Sequence, residues 1–232
     1  DKKNNLKDIQ SHYPYGQPLT NSTNRNFLNT AYKLFFKWIK KENILVELIK
    51  FHPLCPINED LKNFKFIERK MVYINLEKEL LSQYSKGRKS DIKQALKNEQ
   101  IRIYQSNNIE GLEIFKKIYY QTMEDLKARK FYFFDDSFLK NILSKNSIIW
   151  IASHKNKPLA AAISLYNHDS KIAEYFLAGK FQEANKYKLP SYLIHKIAEY
   201  FKIYKFKKLF LGGGVTNNED DNLFRYKKNF SN

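Results

Sequence analysis

The chain has 232 residues, of which 43% are hydrophobic and 16% aromatic, and its formal net charge is +17. This length and apolar content suffice for one large domain or two small ones, and the aromatic content disfavours an intrinsically disordered chain. The single cysteine, Cys55, excludes an intrachain disulfide, and no apolar run approaches the roughly 18 residues of a membrane helix.

The charge and the first residues both bear on location and partners. The opening "DKKNNLKDIQ" has no apolar core and does not resemble a signal peptide, so we expect a cytoplasmic protein. The charge favours a polyanionic partner, which is RNA, DNA, an anionic membrane at the inner face or a phosphorylated substrate. Only six of the 41 basic residues are arginine, however, and an AT-rich coding sequence produces the same excess of lysine.

The first elements in chain order are a turn-rich loop over 11–21, a helix over 24–43 and a short buried strand over 44–51. A strand over 66–76 follows, and then a helical stretch over 77–99 with a break near Gly87.

From residue 101 onward, the pattern predicts a regular alternation of strands and helices. The predicted order is one strand, two helices, three antiparallel strands joined by short hairpins, a helix, a strand ending in three glycines, and a short helix at "EDDNLFRYKKNF". This order predicts an α/β (α+β) protein with a mixed sheet flanked by helices.

Five stretches, in order along the chain, resemble the FemAB-like branch of the GNAT acyltransferase superfamily, which includes peptidoglycan bridge aminoacyltransferases and surface-polysaccharide acyltransferases. They are "YPYGQP", "ELIKFHPL", "GRKSDIKQALKNEQIRI", "IYYQTMEDLKARKFYFF" and "LFLGGGVTNNEDDNLFRYKKNF". The resemblance implies a tandem GNAT arrangement, with residues 1–66 as a partial first GNAT-like domain and residues 67–232 as the second. It also implies that the chain is an enzyme, an acyltransferase.

The resemblance implies catalytic roles for two residues. Lys227 in "FRYKKNF" would bring a positive charge to the donor phosphate or to the developing oxyanion, although a solvated lysine at a helix end is the alternative. Glu174 and Tyr175 lie on the central strand "KIAEYFLAG", and only one of them can face the cleft. A carboxylate there often serves GNAT enzymes as a base, but Tyr175 suits the FemAB-like group and is the residue that we predict.

The remaining candidates are predicted to bind substrate, each with packing, a turn or the solvent-exposed surface as the alternative. The triple glycine would let a ligand approach the backbone and offer amide N–H groups to an anion or carbonyl. Arg129 would clamp a phosphate of a nucleotide- or lipid-linked acceptor. The full set of predicted substrate-binding residues is Tyr13, Tyr15, Gly16, His52, Tyr119, Arg129, Tyr132, Gly212, Gly213 and Gly214.

No metal is predicted, because the five histidines lack metal-ligand spacing. No permanently bound cofactor is predicted either, and the donor is aminoacyl-tRNA or acyl-CoA. The stretch "LAGKFQEANKYKLPSYL" lacks the second glycine of an acetyl-CoA pyrophosphate loop, so anion binding there would fall to Lys186, Lys188 and amides near Ser191. Aminoacyl-tRNA therefore fits better, and it also fits the basic charge.

We accordingly expect transfer of an acyl or aminoacyl group to an amine of a cell-wall or surface-glycan precursor, a nucleotide- or lipid-linked glycan or muropeptide. Two alternatives remain: a non-catalytic module that binds RNA or anionic lipid, and an acetyl-CoA-dependent N-acetyltransferase of amino sugars. Because the first domain lacks its opening strands and the second lacks its last two, we also expect the chain to be a fragment or to leave strand edges for another chain.

Overall fold

The computed structural model describes residues 5–54, 65–143 and 146–231, so Cys55 lies outside the described residues. The chain divides into two compact units, Asp1–Glu68 and Arg69–Asn232. In the first unit, strand β1 (Lys7–Gln10) pairs in parallel with strand β2 (Ile44–Leu48), and helix α1 (Arg25–Lys41) connects them. Asn24 caps α1 by accepting hydrogen bonds from the amides of Asn26 and Phe27.

Two predictions for the first unit need correction. Strand β1 was not predicted, because three of the four residues of "KDIQ" are polar and one apolar residue sets no alternation. Strand β2 was predicted to be buried, but Leu45, Val46 and Leu48 are 69%, 53% and 46% exposed. A two-stranded sheet with one helix has too little structure of its own to cover both of its faces.

The second unit is built on a six-stranded mixed sheet in the order β3-β8-β7-β6-β5-β4. Its strands are β3 (Val72–Asn75), β4 (Ile101–Gln105), β5 (Ser147–His154), β6 (Lys157–Asn167), β7 (Ile172–Lys180) and β8 (Lys208–Gly212). Strands β5, β6 and β7 form the predicted antiparallel hairpins, whereas β7 and β8 are parallel. The mixed α/β fold with a sheet flanked by helices is thus confirmed.

Five helices accompany this sheet: α2 (Lys86–Leu96), α3 (Ile109–Asp125), α4 (Asp136–Leu143), α5 (Leu189–Ile203) and α6 (Asn222–Lys228). The main core lies where α5, α2 and α6 pack on one face, and it includes Trp150, Leu193, Ile197 and Phe230. Helix α3 packs on strands β5, β6 and β7. No helix in the described ranges is long and apolar enough to cross a membrane.

Two boundaries in the second unit differ from the prediction. The helix over 77–99 begins only at Lys86, where Ser85 caps it, so the break precedes Gly87 rather than lying at it. The strand predicted over 66–76 forms only over Val72–Asn75, as β3, which joins the six-stranded sheet antiparallel to β8. Strand β8 therefore has a partner on each side within the chain.

Strands β7 and β8 separate partway along their length. They pair only from Ile172 to Glu174 on β7, after which β7 continues to Lys180 and β8 to Gly212. The β6–β7 register shifts between the pairs Ile163–Leu177 and Ser164–Tyr175, which is the geometry of a β-bulge. The parting of these two parallel strands opens the sheet immediately after Glu174.

Candidate active site

Lys227 reaches the end of β8 from helix α6. Its ammonium donates a hydrogen bond of 2.9 Å to the carbonyl oxygen of Gly213. Burial lowers the pKa of Lys227 to about 8, although the carboxylates of Glu174 and Asp221 act in the opposite direction. The structure therefore brings the predicted lysine to the predicted triple glycine and places it where its proton is held only weakly near neutral pH.

Glu174 is the acidic partner of this lysine. It is the last residue of β7 that pairs with β8, opposite Phe210. Burial raises its pKa to about 7, while the positive charge of Lys227 limits the rise. A buried carboxylate and a buried ammonium that influence each other electrostatically near a gap in the sheet, with pKa values displaced toward neutrality, are a combination typical of acid–base sites.

Tyr175 faces the opposite side of the sheet from Glu174, because neighbouring strand residues alternate. Its ring packs against the core cluster that contains α5, and burial, followed by the influence of Tyr226, raises the pKa of its hydroxyl well above the usual value. The structure thus brings Glu174, and not Tyr175, to Lys227. The catalytic role of Tyr175 stays a prediction.

The loop after β8 is held by two charged side chains. The guanidinium of Arg69 donates to the carbonyl oxygens of Gly214, Val215 and Thr216 at 2.9 to 3.2 Å. The carboxylate of Asp221 accepts from the amides of Val215 and Thr216 on one side. On the other side it accepts from the first amides of α6. The hydrogen bond from the Thr216 amide, followed by that from the Phe224 amide, lowers the pKa of Asp221 to about 2. These hydrogen bonds therefore fix the loop relative to the start of α6, the helix that carries Lys227.

Two glycines of the triple meet different constraints. Gly212 has a φ of +78°, which favours glycine, and a Cβ there would lie 3.3 Å from the Lys227 ammonium. A Cβ on Gly214 would lie 2.5 Å from a carboxylate oxygen of Asp221. A side chain at either position would disturb the groups that hold Lys227.

The substitution Gly212→Ala is expected to destabilise the protein by about 1–2 kcal/mol, because alanine is strained at a positive φ. The matched control is Gly87→Ala in the first turn of α2, where a Cβ meets nothing within 4 Å. This control is expected to stabilise by about 0.5 kcal/mol, since it reduces the entropy of the unfolded chain. Urea denaturation measures both changes, and equal effects at the two glycines would contradict the argument.

Arg88 is a residue of this region that the sequence did not single out. Its guanidinium lies 4.6 Å from the ring centre of Tyr226 and 4.9 Å from that of Phe230, the two aromatic residues on either side of Lys227. It also pairs with Asp91 at 2.9 Å and donates to the hydroxyl of Ser191 in the first turn of α5. Arg88 on α2 therefore contacts both α5 and α6, the helix that carries Lys227.

Replacing Arg88 with glutamine is expected to cost about 2 kcal/mol of folding free energy, because a charge-paired side chain that is 11% exposed loses its partners. Arg88→Lys should not restore this loss, since an ammonium cannot stack as a planar guanidinium does. The control Arg225→Gln alters an exposed arginine of α6 and should change stability by less than about 0.5 kcal/mol. Thermal denaturation distinguishes the three, and a stable Arg88→Gln protein would contradict this role.

The other predicted residues of the second unit lie around the end of α3. Tyr119 is buried, and its hydroxyl donates a 2.8 Å hydrogen bond to the carbonyl of Tyr132. Arg129 is exposed, and it precedes the short 3₁₀ turn Lys130–Tyr132. Tyr119 thus serves the packing of this corner, whereas Arg129 is accessible. Their roles in substrate binding stay predictions.

In the first unit, three predicted residues lie close together. The rings of Tyr15 and His52 meet edge to face with centres 4.9 Å apart. The amide of Gly16 donates to the carbonyl of Lys50 at 3.0 Å, which binds this loop to the segment before His52. Burial lowers the pKa of His52. Tyr13 lies in the same loop and is half-buried, and the substrate-binding roles of all four stay predictions.

The described residues contain no group of three His, Cys, Asp or Glu side chains that could hold a metal ion.

Comparison with known proteins shows the fold and leaves the family open. No protein-family model and no curated protein sequence matches the chain. Among solved structures, FemX is similar over 97% of this chain and 77% of its own, with 14% identity and a TM-score of 0.69. L-PGS from Bacillus licheniformis is similar over 89% of this chain and 70% of its own, with 11% identity and a TM-score of 0.63.

A third similar structure is the C-terminal domain of a protein from Agrobacterium fabrum that is assigned as a lysylphosphatidylglycerol synthetase. The similarity covers 89% of this chain and 66% of that one, with 13% identity and a TM-score of 0.64. The chain thus spans just under two thirds of that structure. At these identities the three likenesses establish a shared GNAT-like fold.

Proposed function

We propose that the protein is an acyltransferase that moves an acyl or aminoacyl group from an ester or thioester donor to an amine. The observation that carries this proposal is the placement of Glu174 and Lys227 at the point where β7 and β8 separate. Acyl transfer needs one group that accepts a proton from the amine and one that stabilises the oxyanion. The displaced pKa values of this carboxylate and this ammonium suit those two tasks near neutral pH.

In the proposed reaction, the acceptor nitrogen attacks the carbonyl carbon of the donor and forms the new C–N bond. The carboxylate of Glu174 takes the proton that the amine loses. The ammonium of Lys227 stabilises the negative charge that develops on the carbonyl oxygen, and then the bond from the carbonyl carbon to the leaving oxygen or sulfur breaks. The leaving alkoxide or thiolate takes the proton that Glu174 accepted, which restores the carboxylate and balances the charges.

An aminoacyl ester is the donor that we favour. Helix α5 follows β7 and begins at Leu189, but Pro190 has no amide hydrogen to offer. Ser191 is buried, so its hydroxyl is not presented at the surface. The start of α5 therefore presents fewer donors than a pyrophosphate group would engage, which favours aminoacyl-tRNA over acyl-CoA.

The acceptor that we propose is an amine on a cell-wall or surface-glycan precursor. The similarity of the fold to FemX supports this choice. The accessible Arg129 and the lysine-rich surface are suited to the phosphates of a nucleotide- or lipid-linked precursor.

The test is to incubate the protein with charged tRNA or acyl-CoA and with a panel of nucleotide- or lipid-linked muropeptide and amino-sugar acceptors. Mass spectrometry of the acceptor is expected to detect the added acyl group. Folded protein that transfers from neither donor would overturn the proposal. Salt-sensitive RNA or vesicle binding without transfer would favour the non-catalytic alternative instead.

A further inference from the structure

Strand β4 forms one edge of the six-stranded sheet and has hydrogen-bonding groups on its outer side. The amide of Ser106 donates to the carbonyl of Ile149 at 3.1 Å. This bond shows which residues of β4 direct their backbone groups toward β5. Because the ladder alternates, the N–H and C=O groups of Ile103 and Gln105 point away from β5. In the part of the chain that the structure describes, no backbone group pairs with them.

A groove of about 620 Å³ is lined by residues 101–104 of this edge strand together with residues of β5, the turn after it and α5. We call it the edge groove, and the lining residues that matter here are Arg102, Ile103, Tyr104, Asn156, Tyr192 and Lys196. Five residues of β4 extend for about 17 Å, so the groove can accompany a short extended segment. Tyr192 and Lys196 on α5 form a wall beside the strand.

The positive charges that line the edge groove favour an acidic ligand. The guanidinium of Arg102 is on an exposed residue, and no ion pair engages it among the described residues. Lys196 adds a second positive charge, although Glu199 pairs with it at 2.6 Å. A second copy of this chain would bring another Arg102 and another net charge of +17 to the same edge, which is unfavourable.

The backbone pattern distinguishes a peptide from a nucleic acid. The outer edge of β4 alternates N–H donors with C=O acceptors, and an extended peptide offers the matching sequence of groups. A phosphodiester backbone has no donors for the outward carbonyls, and its charge would face them. The geometry therefore favours a peptide over a nucleic acid, a choice that the net charge alone does not make.

We propose that the edge groove binds an acidic peptide segment, which adds to β4 as an extra strand. Its backbone pairs with Ile103 and Gln105, one carboxylate pairs with Arg102, and its side chains contact the rings of Tyr104 and Tyr192. This site is separate from the Glu174–Lys227 pair, and its existence does not depend on the proposed transfer reaction.

The probe is a fluorescent octapeptide of alternating glutamate and valine, and its anisotropy reports binding to the whole chain. Two N-methylated peptides test the strand pairing, one methylated at the backbone nitrogens of one edge and the other at those of the opposite edge. Because strand pairing uses a single edge, one of the two should bind at least about tenfold more weakly. Arg102→Glu should weaken binding by about tenfold through loss of a charge-assisted hydrogen bond. Binding of the corresponding lysine-valine peptide should improve with this variant.

The matched control is Lys117→Glu, which makes the same type of charge reversal at an exposed position on α3. It should change affinity by less than about twofold, since distant surface charges are screened. Hydrogen exchange should show new protection of the Ile103 and Gln105 amides on binding. Unaltered binding of both methylated peptides, equal effects of the two charge reversals, or displacement of the peptide by a single-stranded oligoribonucleotide would each overturn the proposal.

Discussion

Replacing Lys227 with methionine is expected to lower kcat for acyl transfer by about 10²–10³, the usual cost of removing one oxyanion-stabilising group. The ammonium is the charged group that lies against the Gly213 carbonyl at the end of β8. Methionine fills similar space without a charge and removes the cost of burying an ammonium. The loss is therefore expected in catalysis, with little change in the unfolding temperature.

Lys228→Met is a control that differs by one position. Lys228 is 61% exposed and its ammonium lies 3.8 Å from the carboxylate of Glu219. Exposed ion pairs of this kind contribute little to folding stability. The Lys228→Met variant should therefore fold normally, and its kcat should stay within about twofold of the parent. If the two methionine variants transfer at the same rate, Lys227 does not stabilise the oxyanion.

The rate of transfer is expected to depend on pH with a narrow maximum between about 7 and about 8. Glu174 must lose its proton to act as a base, so kcat/KM rises through its pKa of about 7. Lys227 must keep its proton to stabilise the oxyanion, so kcat/KM falls above its pKa of about 8. Initial rates in buffers of constant ionic strength measure both limbs.

Glu174→Gln is expected to lower kcat/KM by about 10²–10⁴ and to abolish the acidic limb of the profile. Lys227→Arg should instead move the alkaline limb upward, because a guanidinium does not deprotonate in this range. An acidic limb that persists in Glu174→Gln would show that another group is the base.

The stability of Glu174→Gln gives an independent readout of the same carboxyl group. Its pKa rises from the usual 4.5 to about 7 on folding, so the folded state holds the proton more tightly than the unfolded chain. The parent protein therefore loses stability as the pH rises from about 4.5 to about 7. Glutamine removes this loss, and the variant should be the more stable protein at pH 8.

The order of the elements could be predicted because most of them carry a local signal. The α5 segment shows apolar residues at helical spacing, and β5 to β7 are separated by short turns. Lys227 and the triple glycine were also predicted, since they lie in one continuous motif. Strand β1 carried no such signal, and its pairing with β2 is a long-range contact that a local sequence pattern cannot predict.

The choice between Glu174 and Tyr175 could not be made from the sequence. Alternation shows that they face opposite sides, but the side that meets Lys227 depends on where β8 separates from β7. Arg88 was missed for a similar reason. The stretch "KGRKSD" is indistinguishable from an ordinary exposed helix start, and its burial arises only when α5 and α6 pack over it.

The loop that follows β8 combines an exposed surface with a fixed backbone. Val215 is 77% exposed, yet its carbonyl accepts from Arg69 and its amide donates to Asp221. Ordering such a segment costs roughly 1–2 kcal/mol of backbone entropy per residue. Here that cost arises once, when the chain folds, and it does not recur each time a donor and an acceptor arrive. The position of Lys227 is thus set at folding, and the proposed reaction would need no further conformational search to place it.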